Sequence, residues 1–139
     1  DQTLVRVSLL PGLLDTLSVN TDHELPQRIF EIGNVSHLDD SETGASEERR
    51  VAAAAIGPRV DFASMRATAE ALLRDFGYLL ETTPSDDPVF LPGRGAQCWA
   101  VANGQRKLVG LVGEVHPAHL VAFGLSHPAS VLELELEKL

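Results

Sequence analysis

The chain has 139 residues and a net charge of −9, from 20 acidic and 11 basic side chains, and hydrophobic residues make up 44% of it. This length is enough to bury a core, and no linker divides the chain, so we expect a single domain over residues 1–139. The negative charge repels phosphate backbones and argues against direct binding to nucleic acid. The longest apolar run, residues 51–56, is too short for a membrane span, and no signal-peptide pattern opens the chain.

Other features of the composition indicate the setting of the protein. The chain begins at Asp1 rather than at a methionine, and a strand-like segment follows at residues 4–7, so we interpret it as a piece of a longer polypeptide. The lone cysteine, Cys98, excludes an intrachain disulfide and suits a reducing cytoplasm. The only lysines are Lys107 and Lys138. Because an acidic, lysine-poor surface is favoured in salt-rich cytoplasm, we expect a halophilic source.

A helix and a hairpin are predicted in the first half of the chain. The helix opens near Ser8 with a proline in its first turn, and its leucines at helical spacing are Leu10, Leu13, Leu14 and Leu17. A polar break covers residues 20–26. Strands are then predicted at residues 28–38 and 49–57, on either side of an acidic turn at residues 39–48. Pairing these strands across the turn gives an antiparallel hairpin.

The second half is predicted to contain two helices and four strands. One helix covers residues 62–76, with Asp61 as its N-cap and Gly77 as its end. The other begins at Pro117 and ends before Gly124. Strands are predicted at residues 78–83, 97–102, 106–116 and 131–138, with loops at residues 85–88 and 92–95, and the Asn103-Gly104 dipeptide as a hairpin turn. The pattern predicts an α+β fold, an antiparallel sheet flanked by helices.

A nucleophile, a base and an acid follow one another at the end of the first long strand. Ser36, His37 and Asp39 have the side chains of a hydrolase triad. Triads, however, are assembled across a fold, and in an extended strand Ser36 and His37 point to opposite faces. We therefore do not interpret these residues as a triad.

Two histidines raise the question of a metal site. His116 and His119, with Glu114 nearby, could bring two imidazoles to one ion. Pro117 separates them at a strand-to-helix junction, and no third strong ligand is evident. The sequence therefore favours capping or surface histidines, and we predict no metal ligand in the chain.

Glycines and glutamates recur in the later strands. Gly110, Gly113 and the glycines of residues 93–95 are too sparse for a phosphate-binding loop. Gly110 and Gly113 instead predict a bulge or close backbone packing in a strand. In the last strand, leucines at 132, 134 and 136 are predicted to face the core. The alternating residues Glu133, Glu135 and Glu137 are predicted to form a solvated face.

The segment Phe30-Glu31-Ile32-Gly33 resembles the strand of motif 2 in class II aminoacyl-tRNA synthetases. In catalytic members such a strand leads to an Arg that meets the ATP phosphate oxygens and a Glu that helps orient the adenosine or amino group. On that pattern His37 stands at the Arg position and Asp39 at the Glu position. Histidine lacks the bidentate fork that grips a phosphate. The glycine-rich motif 3 of the class, which ends in an Arg, is also missing after Gly110.

The other segments narrow the resemblance to one family. In order, they resemble the catalytic-like module near the C-terminus of archaeal-type phenylalanyl-tRNA synthetase β subunits. The matching segments are SLLPGLL at 8–14, PQRIFEIGNV at 26–35, FLPGRGA at 90–96, VGLVGEVHP at 109–117, FGL at 123–125 and LELEL at 132–136. They cover nearly the whole chain, and six ordered segments are more specific than any single one.

The resemblance implies a class II core without catalytic, cofactor-binding or metal-binding residues, in which His37 and Asp39 occupy degenerate motif 2 positions. It implies an α subunit that charges tRNA(Phe) with phenylalanine, using ATP and Mg²⁺, in a cytoplasmic (αβ)₂ heterotetramer. Upstream domains of the β subunit would be further partners, tRNA would be reached only through the assembly, and no membrane would be involved. Because class II modules associate near motif 1, we expect a face that includes Leu13, Leu14 and Leu17 to bind α or a second copy.

Two alternatives stay open. The chain could be a different non-catalytic class II paralogue that acts as a regulatory or ligand-sensing module, and calorimetry with amino acids would detect its ligand. It could instead be an independent enzyme that uses His37, Asp39 and His116 with a metal, which metal analysis and hydrolase screening would detect.

If the charge of −9 is an adaptation to salt, screening of self-repulsion should stabilise the fold as the salt concentration rises. We expect the thermal midpoint to be higher in molar KCl than at low KCl. An unchanged or lower midpoint would remove the halophilic interpretation and leave the family resemblance untouched.

Overall fold

A computed structural model describes residues 8–20, 23–38 and 45–139, without the side chains at positions 37, 38, 45 and 46. The strand predicted at residues 4–7 lies outside this part of the chain. The elements in order are α1 (Leu10–Ser18), β1 (Gln27–Leu38), β2 (Ala45–Ile56), α2 (Phe62–Asp75), β3 (Leu79–Pro84), β4 (Phe90–Ala102), β5 (Gln105–Val115), α3 (Pro117–Ala122) and β6 (Ala129–Glu135).

The strands form one six-stranded sheet in the order β1-β2-β6-β5-β4-β3. Every neighbouring pair is antiparallel. The last strand of the chain, β6, therefore lies in the interior of the sheet, between the β1–β2 hairpin and the β4–β5 hairpin. The predicted α+β fold with an antiparallel sheet and flanking helices is confirmed.

The sheet carries helices on both faces. Helix α1 packs against β1, β2 and β6, and its leucines share one core cluster with Val35, Ala52, Val131 and, from α3, Leu120. Helix α2 packs against β3, β4, β5 and β6 and forms a second cluster on the opposite face. We call these the α1 face and the α2 face.

The helical spacing of the leucines in α1 was interpreted correctly, but their predicted role was wrong. Leu13, Leu14 and Leu17 are only 4%, 3% and 2% exposed, because they pack on the sheet of their own chain. They therefore offer no surface to an α subunit or to a second copy. The stripe spans about one side of the helix, which is what a helix lying on a sheet buries.

The solvated face predicted for the last strand is also wrong at its first position. Glu133 is 4% exposed. One carboxylate oxygen accepts a hydrogen bond from the Ser8 hydroxyl at 2.7 Å, and the other accepts one from the Leu9 backbone N–H at 2.8 Å. Glu133 thus fixes the start of α1 to the centre of the sheet. Glu135 is half-buried, and only Glu137 of the row is exposed.

Three element boundaries differ from the predicted ones by more than two residues. β2 begins at Ala45, within the predicted acidic turn. β4 begins at Phe90, so the predicted loop at residues 92–95 belongs to this strand. Its pairing with β5 is irregular between Phe90 and Gly95, where Gly93 has φ of 79°. The last strand ends at Glu135, and a short 3₁₀ turn follows.

The sequence correctly predicted a turn and a helix cap, which one or two neighbouring residues determine. Asn103 and Gly104 have φ of 54° and 74°, the positive values required by the hairpin turn between β4 and β5. Asp61 caps α2, since its carboxylate accepts a hydrogen bond from Ser64 N–H at 3.0 Å. Hydrogen bonds from the Ser64 backbone and hydroxyl lower the pKa of Asp61. The predicted α2 cap and turn are confirmed.

The single cysteine is part of the α2-face core. Cys98 is fully buried, and burial raises the pKa of its thiol to about 12. None of the helices in the described ranges has the length and apolar character of a membrane-crossing helix.

The close backbone packing predicted at two glycines is confirmed. A Cβ added at Gly110 would overlap the carbonyl oxygen of Glu133 on the neighbouring strand. A Cβ at Gly113 would lie 2.6 Å from the carbonyl oxygen of Arg94 and equally close to the ring of Phe90. Because the nearest atoms include backbone, neither position has room for a side chain without a shift of the sheet.

Gly110→Ala should therefore lower the free energy of unfolding by about 1–3 kcal/mol or more, as overpacking does. Gly12→Ala is the matched control, because a methyl group at this position of α1 meets no atom within 4 Å. It should raise the free energy of unfolding by up to about 1 kcal/mol, since alanine favours the helix over glycine. Urea denaturation measures both. Equal effects of the two substitutions would contradict the packing argument.

Glu133→Gln should lower the free energy of unfolding by about 1–3 kcal/mol, because the new amide nitrogen cannot accept the hydrogen bond that one carboxylate oxygen accepts. Hydrogen exchange at the first turn of α1 should become faster in the same variant.

The control is Glu47→Gln, the same chemical change at an exposed position of β2. It should change the unfolding free energy by less than about 0.5 kcal/mol. If Glu133→Gln unfolds no more easily than this control, the carboxylate does not hold α1 in place.

Candidate functional site

His37, one of the two positions predicted to be degenerate in motif 2, lies near the end of β1. In the backbone register Ser36 pairs with Glu47 and His37 pairs with Ser46. The side chain of His37 and all of Asp39 lie outside the described part of the chain. Their assignment as degenerate catalytic positions therefore stays a prediction, as does our rejection of a triad at this position.

The histidines singled out for metal binding have structural roles instead. His116 is the N-cap of α3, and its Nδ1 accepts a hydrogen bond from Ala118 N–H at 3.0 Å. The Nε2 of His119 lies 3.2 Å from the carbonyl oxygen of Pro88, so this nitrogen donates. The two rings meet edge to face with centroids 6.3 Å apart. The favoured interpretation, a capping histidine, holds for His116.

Glu114, the carboxylate near these histidines in the metal hypothesis, contacts the beginning of α2. Its Oε2 accepts a hydrogen bond from the Phe62 backbone N–H at 2.8 Å, at the beginning of α2. Its Oε1 lies 3.8 Å from Nε of Arg94. Among the described side chains, no group of three or more His, Cys, Asp or Glu residues is placed to hold a metal ion.

The densest set of charged groups lies on the α1 face, where β2 pairs with β6. It consists of Glu48, Arg50, Glu133 and Glu135, which we call the carboxylate cluster. Arg50 donates to Oε1 of Glu48 from Nη2 at 2.6 Å and from Nε at 3.0 Å. Its Nη1 lies 3.5 Å from Oε2 of Glu133. The guanidinium thus contacts the carboxylates of Glu48 and Glu133, and the charge of Glu135 also acts on it.

The titration of the cluster reflects this excess of negative charge. Burial tends to lower the pKa of Arg50, but the hydrogen bond with Glu48 and the charges of Glu133, Glu48 and Glu135 raise it overall. Burial raises the pKa of Glu135, and the neighbouring charge of Glu48 raises it further, against the opposing effect of Lys138. Arg50 is therefore firmly protonated, while burial and the charge of Glu48 oppose ionisation of Glu135.

Two shallow depressions adjoin the carboxylate cluster. One is bordered by β4 and β5, and Gln97, Leu108, Gly110 and Leu111 line it together with Arg50, Glu133 and Glu135 of the cluster. The other lies beside α1 and α3 and is lined by Leu10, Leu14, Val89 and Phe123. Both contain Arg50 and Glu133. This surface can accept hydrogen bonds and attract cations, but its charge opposes the binding of a phosphate group.

Sequence reasoning missed Arg50 and Glu48. The one signal available was the hairpin itself, whose register places Arg50 opposite Gly33 of the motif 2 segment. Arg50 also lies beside Glu135, and this arrangement depends on the pairing of β6 with β2. That pairing joins residues far apart in sequence, and no local pattern predicts it.

Comparison with known proteins agrees with the motifs. Residues 1–136 match the family described as phenylalanyl tRNA synthetase beta chain CLM domain. The chain is 36% identical over 136 residues to the phenylalanine–tRNA ligase beta subunit of Methanococcoides burtonii, covering 98% of this chain and 23% of the relative. For the Methanothrix thermoacetophila subunit the identity is 39% over 134 residues, covering 96% and 23%.

The corresponding subunit of Methanosarcina acetivorans is 38% identical over 139 residues, covering 100% of this chain and 24% of the relative. The chain thus spans about a quarter of the length of these curated relatives. Both the ordered motifs and the near-complete coverage of this chain confirm the resemblance to archaeal β subunits. The chain belongs to the phenylalanyl tRNA synthetase beta chain CLM domain family.

Proposed function

We propose that this chain is a catalytically inactive, class II synthetase-like module of a phenylalanine–tRNA ligase β subunit. Its function is architectural: it supports the α subunit, which charges tRNA(Phe) with phenylalanine. The six-stranded antiparallel sheet with helices on both faces is compatible with a class II core. Membership of the family supports the assignment to a β subunit. The charge of the candidate site supports the absence of catalysis.

The observation that carries the proposal is the sign of the charge on the α1 face. The carboxylate cluster has three carboxyl groups and one guanidinium, and Glu48 and Glu133 already engage that guanidinium. Phosphoryl and adenylyl chemistry needs fixed positive charge where negative charge develops. A surface with the opposite balance would repel the triphosphate of ATP.

The sequence of the hairpin supports the same conclusion. A histidine at position 37 replaces the Arg that the motif 2 pattern requires, and an aspartate at position 39 replaces the longer Glu. A neutral imidazole offers neither the charge nor the paired donors of a guanidinium. The phosphate clamp is thus weakened at motif 2, and the resemblance offers no motif 3 Arg to replace it.

The assembly completes the proposal. ATP and Mg²⁺ would bind to the α subunit of an (αβ)₂ heterotetramer in the cytoplasm. Other domains of the β subunit would contact this module, and tRNA(Phe) would be reached only through the assembly. The net charge of −9 is consistent with that arrangement, since it disfavours direct contact with the tRNA backbone.

We expect no pyrophosphate exchange above background when this chain is incubated alone with phenylalanine and ATP. The variant with both His37→Arg and Asp39→Glu should be equally inactive, because these substitutions leave the carboxylate cluster in place and do not supply a motif 3 Arg. Loss of a single preorganised donor can cost roughly 3–4 kcal/mol, or about a hundred- to a thousand-fold in rate.

The complete α and β enzyme serves as the positive control under the same conditions. Turnover by the chain freed of α would overturn the proposal and return His37 and Asp39 to the catalytic residues. Saturable binding of an amino acid without exchange would favour the ligand-sensing alternative instead.

A further inference from the structure

Glu135, at the end of β6, lies near a cation and near another carboxyl group. Its side chain is 20% exposed, and the Nζ of Lys138 lies 3.3 Å from its Oε1 and 3.4 Å from its Oε2. The carboxyl group of Glu48 is also close enough to form a hydrogen bond with it. An ionised carboxylate only accepts hydrogen bonds, whereas a protonated carboxyl group can also donate one. Glu135 therefore has a partner for each of its protonation states, Lys138 when it is ionised and Glu48 when it is protonated.

The contact between Glu48 and Glu135 follows from the pairing of β2 with β6. Arg50 stands opposite Glu135 in the register, so these two side chains point to the same face of the sheet. Glu48 is two residues from Arg50 on β2 and therefore shares that face. It is a diagonal neighbour of Glu135, at a separation that long side chains can span. The fold thus brings together two carboxyl groups from distant parts of the sequence.

Glu48 is held in its ionised form by Arg50. Two N–H groups of the guanidinium donate to Oε1 of Glu48, at 2.6 Å and 3.0 Å, and the raised pKa of Arg50 keeps it protonated. Glu135 has the weaker cationic partner, because Lys138 is 46% exposed and its contacts are longer. Burial raises the pKa of Glu135, and the charge of Glu48 raises it further. Of the two carboxyl groups, Glu135 is therefore the one that takes up a proton.

The other charged groups around Glu135 act in the same direction. Asp87 lines the same depression as Glu133 and Glu135. In the 3₁₀ turn after β6, which we call the C-terminal turn, the carboxylate of Glu137 accepts a hydrogen bond from the Arg49 N–H at 3.2 Å. Carboxylates outnumber cations here, so a proton on Glu135 reduces their mutual repulsion. The neighbouring groups are Glu48 and Arg50 from β2, Glu133 from β6, Glu137 and Lys138 from the C-terminal turn, Asp87 from the loop before β4, and the uncharged Leu108 and Gly110 from β5.

We propose that Glu135 is a proton-dependent latch between β2 and the C-terminal turn. When Glu135 is protonated, its hydroxyl donates a hydrogen bond to Glu48 and ties the end of β6 to β2. When it is ionised, Glu48 repels it and Lys138 of the C-terminal turn holds it instead. The β1–β2 hairpin joins the rest of the sheet where β2 pairs with β6, so the latch controls how firmly this hairpin is attached. A latch of this kind is additional to the architectural function and does not depend on the absence of catalysis.

The direction of the pH dependence follows from proton linkage. A carboxyl group whose pKa is raised on folding binds more protons in the folded state than in the unfolded state. Its stabilisation is complete below the pKa of a glutamate in the unfolded chain, about 4.3, and is lost as the pH rises through the pKa of folded Glu135. Through this group, the equilibrium constant for unfolding should rise by up to about tenfold per pH unit over that window.

The direct test is a pH titration of the wild-type chain, followed by carbon NMR of the glutamate carboxyl groups. We expect Glu135 to titrate above the ordinary value of about 4.3 and the Glu48 signal to respond over the same pH range, as coupled groups do. Glu48→Gln should lower the pKa of Glu135, because it removes the repelling charge. Lys138→Met should raise that pKa, because it removes the cation. A pKa of Glu135 at or below the ordinary value, or one that either substitution fails to shift in the stated direction, would refute the latch.

Urea denaturation measures whether the proton affects the stability of the fold. Glutamine can donate a hydrogen bond at every pH, so Glu135→Gln should imitate the protonated latch. Glu47→Gln is the matched control, because it removes one charge at an exposed position of β2. At neutral pH the urea midpoint of Glu135→Gln should be higher than that of Glu47→Gln, and the difference should shrink as the pH falls to about 4.3. An equal or lower midpoint for Glu135→Gln at neutral pH would contradict the proposal.

Discussion

The buried carboxylate of Glu133 is the contact on which the α1 face depends. It stands in the central part of the sheet, on a strand that is enclosed on both faces, and there it joins three parts of the chain. The Ser8 hydroxyl and the Leu9 N–H bind its two oxygens, and the guanidinium of Arg50 approaches from β2. A buried carboxylate without partners is strongly destabilising. The burial of Glu133 on β6 therefore requires the start of α1 and strand β2 to be in place together.

The same contact connects the architecture of the module with its proposed loss of catalysis. Arg50 is the guanidinium of the carboxylate cluster, and Glu48 and Glu133 hold it at hydrogen-bond and ion-pair distances. A guanidinium committed to carboxylates contributes to the packing of strands rather than to recognition of a ligand. These charged groups of the α1 face therefore satisfy one another.

The sequence predicted best those features that neighbouring residues determine. The Asn103-Gly104 turn and the Asp61 cap follow from positive φ and from an unpaired helix N-terminus, and both occur as predicted. Failures arose where distant elements meet. Glu133 alternates with leucines as a solvated residue would, but α1 covers it. The leucines of α1 were identified as a stripe, yet no local pattern showed that the sheet of the same chain covers them.

Glycine and proline misled at residues 92–95 for a related reason. They are typical of loops, but here they belong to β4, in the irregular stretch opposite β5, where Gly93 has a positive φ and Gly95 has no room for a Cβ beside Phe90. The catalytic question was resolved least, because the side chain of His37 and all of Asp39 lie beyond the described residues. The carboxylate cluster combines residues of β2 and β6, which are far apart in the sequence. Its charge balance therefore becomes apparent only in the folded structure.

The burial of Cys98 has a practical consequence for experiments on this protein. Thiolates, not thiols, react with maleimides and oxidants, and a pKa of about 12 keeps this group protonated at neutral pH. A cysteine introduced on the surface would have an ordinary pKa of about 8.5 and would react far faster. Since Cys98 is the only cysteine of the chain, fluorescent or spin labels can be attached at one chosen position without removing a native residue from the core.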